Sequence, residues 1–290
     1  MHVVAGVSGN TGSVAALTLL EAGEPVRVVV RDPSKGAAWK ARGAEVAVAS
    51  LDDAPALAEA LAGARGAYLL VPPDLAAPDY LRSRARVSAA LAEAVRTSGV
   101  PHVVFLSSIG AQLESGTGPI AALRAAEAQL RETGASLTLL RPSYFLDNWF
   151  GMIGLAQSEG VLPSFTPIET PFPQISTTDI GRIAAESLLS PATGVRIREL
   201  AGPEDLSPVQ VAAALGSVLG RTVTAVPAPL DSVVPTFTSF GVSSDLARLY
   251  AEMYGAIIAG RLSFEGSGTE ILRGTLSAGE AFAKAVRAAA

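Results

Sequence analysis

Three glycines near the N-terminus, Gly6, Gly9 and Gly12, follow one another at intervals of three residues. They separate the short apolar run His2–Ala5 from an Ala- and Leu-rich stretch that predicts a helix over Thr11–Ala22. A strand–turn–helix of this kind lets a pyrophosphate approach bare backbone amides at the positive end of the helix. The spacing predicts a nicotinamide dinucleotide site, and an ordinary glycine-rich turn is the alternative. Side chains that can add hydrogen bonds there are those of Ser8, Asn10 and Thr11.

The end of the second predicted strand carries the cations that bear on cofactor choice. Val26–Val30 is followed directly by Arg31. An acidic residue here would bind the ribose 2′-hydroxyl of NAD, whereas an Arg accommodates the 2′-phosphate of NADP. Asp32 has another explanation, because an Asp before a Pro suits a helix N-cap. Arg31, with Lys35 as a second cation, therefore predicts NADPH over NADH. The alternative is that both cations are solvated charges on a turn.

The loop after the third predicted strand contains a pair of carboxylates, Asp52 and Asp53. In a doubly wound sheet this loop can flank the adenine of a bound dinucleotide. Asp52 either hydrogen bonds to the adenine amino group or caps the helix that begins at Ala54. The sequence leaves both possibilities open.

The elements that must position these residues alternate between strands and helices. Predicted strands cover His2–Ala5, Val26–Val30, Ala44–Ala49, Ala67–Val71, His102–Ser107, Ser136–Arg141 and Arg196–Ala201. Predicted helices cover Thr11–Ala22, Ser34–Arg42, Ala54–Leu61, Tyr80–Ser98, Ile120–Thr133, Thr178–Leu189, Pro208–Leu219 and Ser243–Ala259. The pattern predicts an α/β fold, a Rossmann-type doubly wound parallel sheet.

The pattern changes after Arg141, where the chain becomes rich in loops and prolines. We expect residues 1–143 to form the dinucleotide-binding domain, with residues 176–202 returning to it. Residues 144–175 and 203–275 are expected to form a smaller substrate-binding region. Residues 276–290 are expected to form a C-terminal helix.

The composition excludes several classes of function. The 290 residues include no Cys and only two His, so neither thiolate chemistry nor a metal site is expected. The net charge is −5 and no Lys/Arg cluster is present, which argues against nucleic acid as a partner. No apolar run is long enough for a membrane span, and the first residues do not read as a signal peptide. We expect a cytoplasmic protein, for which a homodimer is one candidate assembly.

Taken together, the motifs resemble the NmrA-like branch of the atypical short-chain dehydrogenase/reductase family. The resemblance rests on Gly6-x-x-Gly9-x-x-Gly12, Arg31, Leu51-Asp52-Asp53, Leu106-Ser107-Ser108, the segment from Leu139 to Asn148, Ser176-Thr177-Thr178-Asp179-Ile180 and the Tyr254–Ile257 helix. It covers nearly the whole chain. The family includes NAD(P)H:quinone reductases, azo-compound reductases, isoflavone-reductase-like enzymes and NADP-sensing regulators without catalysis.

The resemblance implies positions for further site residues. Val71, Pro72 and Pro73 would line the cofactor, and Ser107 and Ser108 would lie near the nicotinamide ribose. Leu51 and Asp52 belong to the matching segment after the third strand. Pro142, Tyr144 and Asn148 match the segment that closes over the nicotinamide, which makes Tyr144 and Asn148 the candidates for catalysis.

The usual catalytic pair of short-chain dehydrogenases is missing. In those enzymes a Tyr-x-x-x-Lys pair donates the proton and binds ribose. None of the five tyrosines here has Lys four residues later. The helix that would carry the pair has Ile120 and Arg124. Arg124 can bind ribose or phosphate, but it stays charged and is a poor proton shuttle. Alcohol dehydrogenation by this pair is therefore not expected.

Two functions of different class survive. In one, hydride passes from NADPH to a quinone or another conjugated aromatic acceptor, whose delocalised anion takes its proton from water. In the other, the protein binds NADP(H) without turnover and reports redox state to a partner. Aromatic residues in the irregular segments favour a flat apolar substrate, although they can equally form the core of the smaller region. They are Tyr144, Phe145, Trp149, Phe150, Phe165, Phe172, Phe237 and Phe240.

Overall fold

The computed structural model describes residues 1–191 and 193–289. Its strands, in chain order, are β1 (His2–Val4), β2 (Val26–Val30), β3 (Glu45–Val48), β4 (Gly66–Leu70), β5 (His102–Leu106), β6 (Ser136–Pro142), β7 (Tyr144–Phe145), β8 (Val161–Ser164), β9 (Phe172–Ile175), β10 (Val195–Ala201), β11 (Asp205–Leu206), β12 (Thr224–Pro227) and β13 (Glu270–Arg273).

Helices connect these strands. They are α1 (Asn10–Glu21), α2 (Ala37–Lys40), α3 (Ala54–Leu61), α4 (Tyr80–Ser98), α5 (Ala121–Arg131), α6 (Ile153–Glu159), α7 (Thr177–Leu189), α8 (Pro208–Leu219), α9 (Val233–Ser239), α10 (Ser244–Ile258) and α11 (Ala278–Ala289). Short 3₁₀ segments cover Pro33–Gly36, Gly118–Ile120, Leu146–Met152 and Leu230–Ser232.

One large sheet organises the molecule. Within the described residues it has eight strands in the order β13-β10-β6-β5-β4-β1-β2-β3, and every neighbouring pair is parallel. The chain moves outward from β1 in both directions, which gives a doubly wound sheet with a crevice at the carboxyl ends of β1 and β4. The predicted α/β class and Rossmann-type parallel sheet are confirmed.

Strand β5 shows why its sequence is apolar throughout. All five of its residues are buried, and successive side chains point to opposite faces. Val103 and Phe105 pack into one hydrophobic core, whereas Val104 and Leu106 pack into the other. A strand covered by helices on both faces needs this continuous run.

A smaller region lies at the carboxyl edge of the sheet. It contains a three-stranded sheet ordered β11-β9-β7, a pair of parallel strands β12-β8, and helices α6 and α8–α11. Its main core includes Trp149, Leu215 and Phe282, so segments from before residue 175 and after residue 203 pack together. Phe282 belongs to α11, so the C-terminal helix packs into this core.

Most predicted elements agree with the structure to within one or two residues, but two predictions were wrong. Residues 270–273 were expected in the smaller region, whereas β13 pairs with β10 at the edge of the large sheet. The helix expected over Ser34–Arg42 is a 3₁₀ turn followed by the one-turn helix α2.

Candidate functional site

The glycine loop combines two positions fixed by packing with one that is not. Gly6 has a φ of +69°, and a Cβ there would lie 2.6 Å from a Leu70 methyl group. A Cβ on Gly12 would lie 2.5 Å from the Gly6 carbonyl oxygen. Gly9 is exposed and extended, and a Cβ there would meet only the Gly6 oxygen at 3.4 Å. Packing therefore requires glycine at positions 6 and 12, whereas at Gly9 the space around the backbone is open.

A cleft of about 500 Å³ opens at this loop, at the carboxyl ends of β1, β4 and β5, and we call it the sheet-edge cleft. The amides at the start of α1 lie at its wall, because Gly9 is the N-cap of that helix and forms no side-chain cap. The residues that line it are Gly6, Gly9, Asn10, Thr11, Leu70, Val71, Pro73, Tyr80, Leu106, Ser107, Pro119, Ile120, Leu123, Phe145, Thr177 and Tyr250.

The cleft brings together seven of the predicted cofactor residues and leaves others outside it. Those inside are Gly6, Gly9, Asn10, Thr11, Val71, Pro73 and Ser107. The Thr11 hydroxyl is already engaged, since the buried Tyr68 hydroxyl donates to it at 2.8 Å. Predicted residues that do not line it are Ser8, Gly12, Arg31, Lys35, Leu51, Asp52, Pro72, Ser108, Arg124 and Pro142.

The turn after β4 is held in place by a buried arginine that the sequence analysis did not single out. The Arg84 guanidinium donates to the Pro72 carbonyl at 2.6 Å and pairs with Asp74 at 3.3 Å. Arg84 is only 6% exposed, whereas Arg82 and Arg86 on the same helix are exposed. Pro72 thus shapes the cleft through its carbonyl group, between Val71 and Pro73 in the lining.

The cations and carboxylates expected around the adenine half lie on the outer loops. Arg31 and Lys35 are exposed just beyond β2. Asp32 caps the 3₁₀ turn by accepting from the Ser34 amide at 2.9 Å, as the sequence suggested. The cap of α3 is Asp53, which accepts from the Ala56 amide at 3.1 Å, so the suggestion that Asp52 caps this helix was wrong. Asp52 instead accepts from the Ser50 hydroxyl.

Ser107 is fixed by a buried ionic network behind the cleft. Its hydroxyl donates to Glu127 on α5 at 2.5 Å, and Glu127 accepts two bonds from Arg141 at 2.9 and 2.7 Å. Glu127 and Arg141 are 4% and 3% exposed. Arg141 also pairs with Glu265 at 2.6 Å. Because its proton is committed to Glu127, the Ser107 oxygen can only accept a hydrogen bond from a ligand in the cleft.

Two predicted residues near Ser107 face elsewhere. The Arg124 guanidinium donates to the Gln112 carbonyl at 2.9 Å and lines a separate surface groove with Glu114 and Arg131. The Ser108 hydroxyl donates to the Ile109 carbonyl at 3.0 Å. Neither is brought to the sheet-edge cleft.

Two apolar cavities adjoin this cleft, and Tyr144 and Asn148 line both. The first apolar cavity, of about 500 Å³, is walled by aromatic and aliphatic side chains from α9, α10 and the segment 144–166. The second, of about 370 Å³, lies between the β6–β7 turn, residues 170–173 and the end of α10. The aromatic residues of the first cavity are Tyr144, Trp149, Phe165, Phe237, Phe240, Tyr250 and Tyr254.

Tyrosines supply much of the polar chemistry of the first cavity. The Tyr144 and Tyr254 hydroxyls lie 3.3 Å apart. Burial raises the pKa of Tyr144, and it raises the pKa of Tyr254 well above its ordinary value. Both are therefore neutral and can donate a hydrogen bond. The sequence analysis missed Tyr250 and Tyr254, although their spacing of four residues on one helix places them on the same face.

The described residues contain no group of three or more His, Cys, Asp or Glu that could hold a metal ion. In the same part of the chain, none of the helices combines the length and apolar character needed to cross a membrane.

Comparison with known proteins identifies the family. The model of the NmrA-like family matches residues 2–257. An NAD(P)H azoreductase from Xenophilus azovorans is 30% identical over 255 residues, which is 88% of this chain and 86% of that protein. A (4-alkanoyl-5-oxo-2,5-dihydrofuran-3-yl)methyl phosphate reductase from Streptomyces griseus is 31% identical over 222 residues, covering 76% of this chain and 74% of that protein.

Solved structures share the fold. The NADPH-dependent quinone oxidoreductase from Escherichia coli, solved with NADPH, superposes with a TM-score of 0.82 at 23% identity, covering 98% of this chain and 99% of that one. Triphenylmethane reductase from Citrobacter sp., solved with NADP(H), gives a TM-score of 0.80 at 19% identity, covering 98% and 100%. The chain belongs to the NmrA-like family.

Proposed function

We propose that the protein is an NADPH-dependent reductase that transfers hydride to a quinone or another conjugated aromatic acceptor. The observation that carries this proposal is the adjacency of a cofactor-type cleft and two apolar cavities. The sheet-edge cleft shares Tyr250 with the first cavity, and Ile120 and Phe145 with the second. An acceptor in either cavity would therefore lie beside the cleft wall.

The residues of the cleft fit a dinucleotide. Bare backbone at Gly9 and the free amides at the start of α1 would bind the pyrophosphate, with Asn10 at the same wall. Val71 and Pro73 would pack on the cofactor, and Ser107 would accept a hydrogen bond from the nicotinamide half. When bound, the reduced nicotinamide supplies the hydride.

The outer loops would decide between NADPH and NADH. Arg31 follows β2 at the position where an acidic residue would bind an unphosphorylated ribose. Its exposed guanidinium, with Lys35 one turn later, would pair with the 2′-phosphate. Leu51 and Asp52, which follow β3, would flank the adenine. The relatives of known fold that were solved with NADPH or NADP(H) agree with this preference.

The cavities would hold the acceptor by packing and a few polar contacts. Tyr144 and Asn148 line both cavities, so they would touch an acceptor in either position. The Tyr144 hydroxyl can donate to an acceptor oxygen or nitrogen, and the edge-on Phe172 ring 5.6 Å away helps to fix the tyrosine ring. The names of the azoreductase and quinone oxidoreductase relatives agree with aromatic acceptors.

Chemistry of this kind does not need the usual Tyr-Lys pair. Ile120, which lies in the short 3₁₀ segment directly before α5, lines the cleft and has no proton to give. The walls would instead hold the acceptor against the cofactor, and an anion spread over a quinone ring is stable enough to take its proton from solvent.

The experiment is NADPH oxidation followed by absorbance with a panel of quinones and azo compounds, alongside equilibrium binding of NADPH and NADH. Saturable, acceptor-dependent oxidation supports the reductase. Tight NADPH binding without turnover of any acceptor would contradict it and favour a protein that senses NADP(H).

A further inference from the structure

Tyr250 lies where the sheet-edge cleft meets the first apolar cavity. Of the described residues, it alone lines both the sheet-edge cleft and the first apolar cavity. It comes from α10 in the smaller region, whereas the rest of the cleft is formed mainly by the large sheet and its loops. A group at this junction can contact the atom that receives hydride or the atom beside it.

The Tyr250 ring is held firmly, but its hydroxyl is free. The ring packs against Phe237 with centroids 4.7 Å apart. Within the described residues no side chain or backbone group hydrogen bonds to the Tyr250 hydroxyl, whereas the hydroxyls of Tyr144 and Tyr254 are engaged with each other. A fixed ring with an uncommitted hydroxyl suits a donor to a bound ligand.

Each compartment that Tyr250 lines also contains another tyrosine, Tyr80 in the cleft and Tyr144 in the first cavity. Burial raises the pKa of Tyr80, which lines the cleft, and the nearby Tyr250 phenol raises it further. Burial likewise raises the pKa of Tyr250, and the Tyr144 phenol in the first cavity raises it further. Because burial raises the pKa of Tyr250, its hydroxyl remains protonated at neutral pH.

We infer that Tyr250 is the proton donor for acceptors whose reduced anion is strongly basic, such as azo compounds. This inference rests on the proposed reductase function. Hydride adds to one nitrogen of the N=N bond, and the π electron pair moves to the other nitrogen. That nitrogen takes the proton from Tyr250 Oη as the second N–H bond forms. The nicotinamide is oxidised by two electrons, the azo bond is reduced to a hydrazo group, and water returns a proton to the tyrosinate.

Quinones place a smaller demand on the same residue. Hydride addition to a quinone gives an anion whose charge is delocalised over the ring and the second oxygen, so solvent can protonate it without help. A nitrogen anion left by hydride addition to an azo bond is more localised and needs a positioned acid. Comparing the two classes of acceptor therefore distinguishes an effect on proton donation from an effect on hydride transfer.

The test compares Tyr250→Phe with the wild type, using one azo compound and one quinone. Because the hydroxyl has no protein partner, its removal leaves the fold intact. We expect kcat for the azo compound to fall by about 100-fold or more. The quinone kcat should fall by much less, so the ratio of the azo kcat to the quinone kcat should drop, and the variant should still bind NADPH.

Tyr144→Phe is the matched comparison, because it removes a hydroxyl from the first cavity but not from the cleft. It should affect the two acceptors to a similar degree. Equal losses for both acceptors in Tyr250→Phe, or no loss for the azo compound, would overturn the inference. So would a wild-type protein that reduces quinones but no azo compound. Failure of the wild type with every acceptor would instead reject the proposed function.

Discussion

The sheet-edge cleft and the first apolar cavity lie side by side, but their walls have different origins. The cleft takes most of its wall from loops that follow three neighbouring parallel strands, β1, β4 and β5. The cavity takes its wall from segments far apart in the chain, including residues 144–166 and the helices α9 and α10. The cleft offers backbone amides and fixed hydroxyls, whereas the cavity offers aromatic rings.

Because of this difference, we expect the cleft and the first cavity to differ in the range of ligands that they accept. Because backbone groups at strand ends are placed by the sheet, we expect the cleft to be specific for one kind of ligand and sensitive to single substitutions. The aromatic rings of the cavity contact a flat molecule through apolar faces and edges rather than through fixed polar groups, so the cavity suits a range of flat acceptors. Substitutions should therefore act on one compartment and spare the other.

The largest effect is expected behind the cleft, at the buried Glu127–Arg141 pair. Glu127→Ala leaves the Arg141 guanidinium with one partner, Glu265, and frees the Ser107 hydroxyl. We expect the free energy of unfolding to fall by roughly 3–5 kcal/mol. Denaturant titration measures this, and Glu93→Ala in the exposed pair with Arg96 is the control that should change little. A small loss for Glu127→Ala would contradict the described network.

At the cleft itself, Gly9→Val should remove cofactor binding without unfolding the protein. The extended backbone at Gly9 accepts a β-branched residue, but the side chain would occupy the pyrophosphate approach. NADPH affinity should fall by about 100-fold, or about 2.7 kcal/mol. Gly12→Ala is the contrast: its Cβ meets backbone at 2.5 Å, so it should lower the melting temperature. Normal NADPH binding by Gly9→Val would refute the site.

A buried histidine in the large sheet should make the stability of the protein depend on pH. Burial lowers the pKa of His102 to about 4, below its ordinary value of 6.5. Between pH 6.5 and pH 4 His102 is therefore protonated in the unfolded chain but neutral in the folded protein. The free energy of unfolding is retained above pH 6.5 and decreases as the pH falls toward 4. From pH 7 to pH 5 the loss is about 2 kcal/mol. Denaturant titrations at both pH values should show it, and His102→Asn should reduce the difference. An unchanged difference would exclude His102 as the source.

In the first apolar cavity, Phe237→Ala should weaken the binding of the acceptor and leave the cofactor unaffected. Phe237 packs against Phe165, Tyr250 and Tyr254, so its loss opens the aromatic wall. We expect KM for an aromatic acceptor to rise about tenfold, or about 1.4 kcal/mol. NADPH affinity, measured by equilibrium binding, should be unchanged. A parallel loss of NADPH affinity would mean that the two compartments are not independent.

The smallest effect is expected at Arg31. Its guanidinium is exposed, so its pairing with a 2′-phosphate is weakened by solvent. Arg31→Ala should weaken NADPH binding by about fivefold, or about 1 kcal/mol, and leave NADH binding unchanged. Binding isotherms for the two cofactors provide the comparison. Equal losses for NADPH and NADH would remove the argument for NADP preference.

The sequence predicted the cleft better than the cavity, because the residues of the cleft motif are close together in the chain whereas those of the cavity are far apart. The glycine motif, the strand that precedes it and the helix that follows are adjacent in the chain, so their pattern is local. The helices Ala54–Leu61 and Tyr80–Ser98 agree with their predicted bounds because each begins after an Asp cap. Tyr250 reaches the cleft only through the packing of α10, which no local pattern reports.

Two other misses have similar causes. Arg84 was not predicted as a residue that shapes the site. It lies between Arg82 and Arg86 in the chain, and residues two apart on a helix point in nearly opposite directions. Arg84 therefore turns inward where its neighbours turn outward. Strand β13 has only four residues and pairs with β10 about 70 residues away, so its place in the large sheet depends on a long-range contact.

The central claim is that hydride passes from the sheet-edge cleft to an acceptor in the adjoining cavities. A single-turnover experiment tests it most directly, with the protein loaded with one equivalent of NADPH and mixed with excess quinone. The account predicts rapid oxidation of the bound NADPH, lost in Gly9→Val and slowed at low quinone concentration in Phe237→Ala. Tightly bound NADPH that no quinone or azo compound oxidises would contradict it.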